Sequence, residues 1–287
     1  MKTLPTWSIV GIISIGAQLA LSGSEESERD LWPVYLRDRS PGVATSEPGT
    51  YLRQGQWLVH PFYEFESKSA TEYQGSELGF EGDETYLGRS NEIQAMLLVA
   101  YGVTPDLVVE LESTLYRRAI LNRAADDTTT GMPERIRESG SGAVEAEVRW
   151  RVARETERRP EFFANVEVGP PVLQDQELIG NSDWEVEVGL GAAKGLRWGT
   201  VTARASLAFE VGDGSAALGE YAVEYFSRLS ERWNVAAAVE GENDQLTALG
   251  ELQWRYRRDA RVRINVGFGL TEFAPDYTIK LGVAFAL

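Results

Sequence analysis

The chain has 287 residues, with 44 acidic against 28 basic side chains, a formal charge of −16, one histidine and no cysteine. Its mean hydropathy of −0.27 excludes a bundle of membrane-spanning helices, each of which needs a run of about 20 apolar residues. Disulfides and thiolate metal sites are excluded and a zinc site nearly so, and the acidic balance makes a poor nucleic-acid binder, because phosphate contacts need clustered Lys and Arg.

Lys2 precedes a mostly apolar run over 7–21, followed by the small and acidic residues SGSEESERD. A basic start, a short apolar core and a small-residue exit predict a secretory signal peptide over 1–22, with Ala20 and Ser22 framing the cleavage site. No Cys follows the apolar core, so lipidation of the bacterial lipoprotein kind is excluded, and a cysteine-free chain suits an oxidising compartment. Residues 23–55 are polar, carry Pro33, Pro41 and Pro48, and read as an exposed, periplasmic N-terminal extension.

From residue 56 onward the dominant period is two. Tyr277, Ile279, Leu281, Val283 and Phe285 share one face of the last segment, and Thr278, Lys280, Gly282, Ala284 and Ala286 the other. Twelve such segments are predicted, near 56–67, 91–103, 107–118, 142–154, 161–169, 183–193, 200–211, 218–229, 233–242, 246–257, 261–270 and 276–287. Short turns at 104–106, 155–160, 194–199, 230–232 and 258–260 alternate with longer links, of which 68–90 and 119–141 are the longest. That alternation, with charge in mid-strand opposite a nearly pure apolar face, is the pattern of a transmembrane barrel rather than a sandwich. Lipid requires closure, since an open edge leaves backbone donors and acceptors unsatisfied.

Aromatic residues collect at both strand ends. Trp57, Tyr101, Trp150, Tyr225, Trp233, Trp254 and Phe285 fall at the short-turn side, and Trp184, Phe209, Tyr221, Phe268 and Tyr277 at the other, as two interfacial girdles do. The fold class expected is all-β: an antiparallel up-and-down transmembrane barrel of about twelve strands over 56–287. It would sit in the outer membrane of a Gram-negative-type bacterium, with both barrel ends on the periplasmic side.

The last eight residues, Lys280-Leu281-Gly282-Val283-Ala284-Phe285-Ala286-Leu287, resemble the C-terminal β-signal of outer-membrane proteins, although that signal usually ends in Phe or Trp. The resemblance implies the barrel-assembly machinery and periplasmic chaperones as partners during biogenesis. Ala44-Thr45-Ser46-Glu47-Pro48-Gly49-Thr50, then Gly55-Gln56-Trp57 and Phe62-Tyr63-Glu64-Phe65, look like the opening of the outer-membrane family described as "MetA-pathway of phenol degradation". Tyr101-Gly102-Val103-Thr104-Pro105-Asp106-Leu107 is similar to that family's recurring turn, with Pro-Asp where Asp-Arg is frequent. This resemblance implies a barrel of transport role and carries no catalytic signature.

By strand parity, Glu110, Glu112, Glu145, Glu147, Arg149, Arg151, Glu185, Glu187, Arg204, Glu224, Arg228, Glu251, Arg255, Arg257, Arg263 and Lys280 line the lumen, with Glu92, Glu167, Glu220 and Glu240 on the same face. As rings of charge they would tune the selectivity of an aqueous passage for small solutes. The alternative is a salt-bridged plug in a structural or surface-interaction barrel, because twelve strands enclose a lumen between the filled and the open extremes. An outer-membrane hydrolase would need His60, which lies early in the first strand at lumen parity and far from the outer leaflet where such enzymes work. Carboxylates at i and i+2, such as Glu145 and Glu147, repeat the lumen face rather than form an acid–base pair. No catalytic residue, cofactor, metal or nucleic-acid partner is expected. Lipid and lipopolysaccharide are the surroundings, and the acidic segment 68–90 could meet divalent cations there.

Overall fold

A computed structural model of the chain describes residues 32–212, 214 and 216–287. The expected signal peptide and the first part of the extension lie outside the described residues. Val34–Leu287 forms one compact unit, and it begins with a single 3₁₀ turn, Val34–Leu36, and a two-stranded hairpin, β1 (Val43–Ala44) and β2 (Tyr51–Leu52). Thirteen further strands follow: β3 (Trp57–Gln74), β4 (Thr85–Thr104), β5 (Leu107–Asn122), β6 (Arg135–Gly140), β7 (Val144–Ala153), β8 (Glu161–Gly169) and β9 (Glu185–Gly195), then β10 (Thr200–Glu210), β11 (Ala216–Arg228), β12 (Trp233–Glu242), β13 (Gln245–Arg257), β14 (Ala260–Gly269) and β15 (Tyr277–Ala286).

From β3 on, each strand pairs antiparallel with its sequence neighbours except that β6 and β7 do not pair with each other, and β15 returns to β3 from Tyr277 opposite Ser67 down to Ala286 opposite Leu58. β6 and β7 both pair with β5, β6 along its far half and β7 along its near half, so they form one stave interrupted at 141–143. The result is a closed barrel of twelve staves, as the alternation predicts. Closure gives every stave two partners and leaves no long free edge.

One end of the barrel carries the short turns and Leu287, here called the turn end, and the other carries the loops. Observed strand limits agree with the predicted ones within a few residues, with one class of difference. About half of the links expected at 68–90 and 119–141 is strand: β3, β4 and β5 run on past the other staves and, with β6, leave loops of 75–84 and 123–134. This extension has its own small core, in which Tyr73, Leu121 and Met132 are buried against Leu78, Phe80 and Tyr86. The Tyr73 hydroxyl donates to Asp127 at 2.6 Å and accepts from the Ala124 amide at 2.9 Å. The polarity of 68–90 and 119–141 hid these partners, which lie in other parts of the sequence.

The barrel exterior follows from the period of two. Leu190, 67% exposed, together with Leu207, Val223, Val239, Ile264 and Ile279, forms a mid-height apolar belt facing outward. At the turn end Trp57 lies 4.6 Å from Tyr101 and Trp233 6.0 Å from Trp254, ring to ring. Trp184 and Phe268 stand exposed at the loop end.

The segment before the barrel differs most from expectation. Residues 34–56 are not a uniformly exposed extension. Val43 and Leu52, each 1% exposed, pack on Leu58, Leu98, Ala100, Val108 and Ala284. These are lumen-facing residues of β3, β4, β5 and β15, so the hairpin sits inside the turn end. Burying a Val and a Leu stabilises this seat by about 1.5–3 kcal/mol each.

Candidate functional site

The lumen is built from register. His60 on β3 lies opposite Leu98 on β4, which lies opposite Glu112 on β5, which lies opposite Glu145 on β7. One layer toward the loop end, Phe62 faces Met96, and beyond it Glu64 faces Gln94. On the other side of β3, Glu251 of β13 is opposite Asn265 of β14, and Asn265 is opposite Lys280 of β15, which pairs with β3. Side chains of one parity therefore converge on the axis from every stave.

Three cavities run one into the next along this axis. The deepest, about 160 Å³, touches Ser46 of the hairpin and is lined by Glu110, Glu112, Glu145, Glu147, Arg149, Glu187 and Arg204, with Glu167 and Glu220. The second, about 220 Å³, shares Ser46, Glu112, Arg204 and Glu220 with the first and adds Glu224, Glu251, Arg263 and Lys280. The third, about 340 Å³, continues from Lys280 and Glu240 to Lys68 and Glu242 near the loop end.

The remaining residues expected in the lumen are not on these cavity walls. Arg151 is buried at the turn end between Glu161 at 3.1 Å and Asp106 at 3.3 Å. Glu185 opens β9 at the loop end and is exposed. Arg228 donates to the Ser230 carbonyl at 3.1 Å in a turn. Arg255 lies half-buried toward the turn end, and its amide donates to the Arg232 carbonyl. Arg257 stands beyond a bulge between 255 and 257 that breaks the parity, and pairs with Asp259 at 3.2 Å while two-thirds exposed.

Lumen charges are matched only in part. Arg204 meets the Glu224 carboxylate and lies 3.5 Å from Glu220 and 3.8 Å from Glu240. Lys280 pairs with Glu64 at 3.2 Å and Arg263 with Glu251 at 2.6 Å. Seven carboxylates and two guanidinium groups line the deepest cavity, so with every carboxyl ionised its charge is negative. Among the described residues no group of three or more His, Asp or Glu side chains has the arrangement to hold a metal ion, those of 68–90 included.

The hairpin reaches nearly every side of this lumen. The Ser46 hydroxyl donates to Glu110 at 2.5 Å, and the Ser46 amide donates to the same carboxylate. Arg149 donates to the Thr45 carbonyl, and the Pro48 carbonyl accepts from Gln253 Nε2 at 3.1 Å. Glu47 is clasped by Arg263 and lies 3.4 Å from His60 Nδ1. Arg39, before the hairpin, pairs with Glu155. Gly49, at φ +69 in the hairpin turn, lies against the Phe226 ring, and Gly195 leaves room for the Tyr35 carbonyl. Sequence parity found the wall but not this partner. Its signal was the patch of apolar residues at lumen parity, Leu58, Ala100 and Val108, on an otherwise polar face.

Outside the staves, Asp106 in the β4–β5 turn receives two hydrogen bonds from Arg154 at 2.9 Å, and these hold its carboxyl below the usual value of 3.8.

No family model matches the chain, and no curated protein matches it. Among solved structures it is similar to an outer membrane channel from Pseudomonas putida F1, with a TM-score of 0.59 at 12% identity over 85% of this chain and 100% of that one. The translocator domain of the autotransporter NalP from Neisseria meningitidis gives 0.48 at 10% identity, over 81% and 88% of the two chains. The KdgM porin in complex with disordered oligogalacturonate gives 0.47 at 8% identity, over 80% and 99%. At 12% identity the likeness to the P. putida channel is one of fold, and the fold is that of outer-membrane β-barrels.

Proposed function

We propose that the chain is an outer-membrane channel for small solutes, with an acid-rich lumen that favours cations and an inner end closed by its own hairpin. The observation that carries this reading is the run of cavities from Lys68 and Glu242 down to Ser46, walled by charged side chains that water can reach. A barrel serving only as a scaffold has no need of a wet, charged axis. In a low-dielectric wall, a surplus of carboxylates lowers the energy of a passing cation and raises that of an anion. Passage to the periplasm on this reading requires the hairpin to leave its seat.

The apolar belt and its two aromatic ends support placement in a bilayer. On the same reading, residues 1–22 direct export, the turn end faces the periplasm, residues 280–287 engage the assembly machinery after periplasmic chaperones, and lipopolysaccharide surrounds the loop end. The resemblance of 44–57 and 101–107 to the phenol-degradation family fits a transport role. His60 belongs to the lumen and not to a catalytic centre: its Nδ1 faces Glu47, and the nearby Ser46 hydroxyl donates to Glu110.

A second reading, a permanently closed structural barrel, is favoured by the number of polar contacts that hold the hairpin. Swelling of proteoliposomes in graded neutral, anionic and cationic solutes separates the two. The channel reading expects uptake that favours cations and falls when Glu145 and Glu167 are both changed to Gln. No solute uptake under any condition would support the closed barrel.

A further inference from the structure

The second cavity mixes apolar surface with unmatched acceptors. Phe62, Met96 and Leu249 give it an apolar lining. Most of its carboxylates already have a basic partner: Glu64 has Lys280, Glu251 has Arg263 and Glu224 has Arg204. Glu112 has no ion-pair partner among the described residues, although it lines both this cavity and the deepest one. A carboxylate drawn partly out of water without a counter-ion is costly.

Two further groups in the same cavity are unmatched. His60 is 4% exposed, and its Nε2 has no hydrogen-bond partner. Its Nδ1 lies 3.4 Å from the Glu47 carboxylate and has no hydrogen-bond partner either; a neutral imidazole keeps one ring nitrogen as an acceptor. The Asn265 Oδ1 is buried and unpaired as well. His60 and Glu112 stand on one lumen row with only Leu98 between them, two strand spacings or about 10 Å apart at the backbone.

We propose that this cavity is a binding site for a small organic cation: a primary ammonium group carried on a compact apolar body. An ammonium presents three N–H donors and no acceptor, which suits the Glu112 carboxylate, with the His60 ring two staves away. The body rests against Phe62, Met96 and Leu249, surface that a bare hydrated ion leaves wet. Cavities of about 150 Å³ accept benzene, so about 220 Å³ holds one ring with a short amino arm. The carboxylate surplus excludes an anionic analogue of the same shape.

The inference deepens the channel reading by naming a solute class. Its test reads binding alone, so a barrel that binds without conducting separates the two. The full barrel in detergent micelles is titrated by calorimetry with benzylammonium, benzyl alcohol and benzoate. Saturable binding of benzylammonium is expected, with the alcohol weaker by about tenfold or more and benzoate inert, because a charge-assisted hydrogen bond contributes about 1.5–3 kcal/mol. Glu112→Gln should weaken benzylammonium by about tenfold, and Glu72→Gln, on an exposed part of β3, should leave it unchanged. If Glu112→Gln does not fold, Ala238→Phe, which fills the cavity from β12, should abolish binding. Equal affinity for ammonium and alcohol, unchanged affinity in the folded cavity variants, or no saturable binding overturns the proposal.

Discussion

Ser46 and Glu110, 64 positions apart in sequence, are joined by a 2.5 Å hydrogen bond from hydroxyl to carboxylate inside the barrel. The bond ties the segment before the first stave to the turn-end part of the third. It also places the hairpin against the floor of the deepest cavity, so the lumen is a pocket bounded by the protein's own N-terminal segment.

Leu52 is the apolar anchor of that segment, 1% exposed among Leu58, Ala100 and Val108. Leu52→Ala should cost the hairpin seat about 2–5 kcal/mol while leaving the staves paired. With no native cysteine, a Thr50→Cys reporter, buried at 6% in the parent, should react with a maleimide slowly alone and much faster beside Leu52→Ala. Equal rates would show that Leu52 does not hold the hairpin.

Gly49 holds a left-handed backbone at φ +69, and an added Cβ would lie 2.2 Å from the Phe226 ring. Gly49→Ala should therefore loosen the hairpin by about 1–2 kcal/mol from backbone strain alone, with the ring contact adding to it. Phe226→Leu should restore part of the loss by clearing the contact but not the strain. The same Thr50→Cys reporter measures both steps.

Leu190 stands outward in the middle of β9, opposite Ala164 and Ala205 on its neighbours. Leu190→Lys should destabilise the barrel in lipid by about 2–4 kcal/mol, the cost of a cation at mid-bilayer. Urea unfolding in vesicles gives the difference. A change below about 0.5 kcal/mol, the size expected of an ordinary surface position, would place Leu190 in water.

Asp106 gives a pH dependence of known sign. The Arg154 hydrogen bonds lower its folded-state pKa below the usual 3.8, so its stabilising contribution is present above that value and lost as pH falls through the lowered one. Arg154 is 63% exposed, and screening holds the contribution to about 1 kcal/mol or less. The stability gap between the parent and Asp106→Asn should be flat from neutral to mildly acidic pH and close only below pH 3.8. A gap that closes near neutrality would assign the effect to another group.

The staves were legible because an alternation of period two fixes both the strand and the face it turns outward, and β8 and β12 fall where the pattern puts them. Glu112, Glu145 and Arg204 share that parity, and all three line the deepest cavity. Parity failed at Arg257, where a bulge shifts the register, because bulges leave no mark in the alternation. The hairpin was not legible. Its 43–52 segment is short, polar and proline-bearing, and its seat depends on contacts such as Gln253 to Pro48, 205 residues distant. The extensions of β3 to β5 were hidden for a related reason: Tyr73 and Asp127 become a buried pair only when two distant polar segments meet.

Single-channel recording in planar bilayers tests the central claim most directly, comparing the parent with Glu47→Gln in a potassium chloride gradient. Glu47 is clasped by Arg263 and faces His60, so its neutralisation weakens the seat without touching the staves. The account predicts rare openings in the parent, frequent openings in Glu47→Gln, and a reversal potential of the sign for potassium in both. Silence from both proteins, or a reversal potential of the sign for chloride, would contradict it.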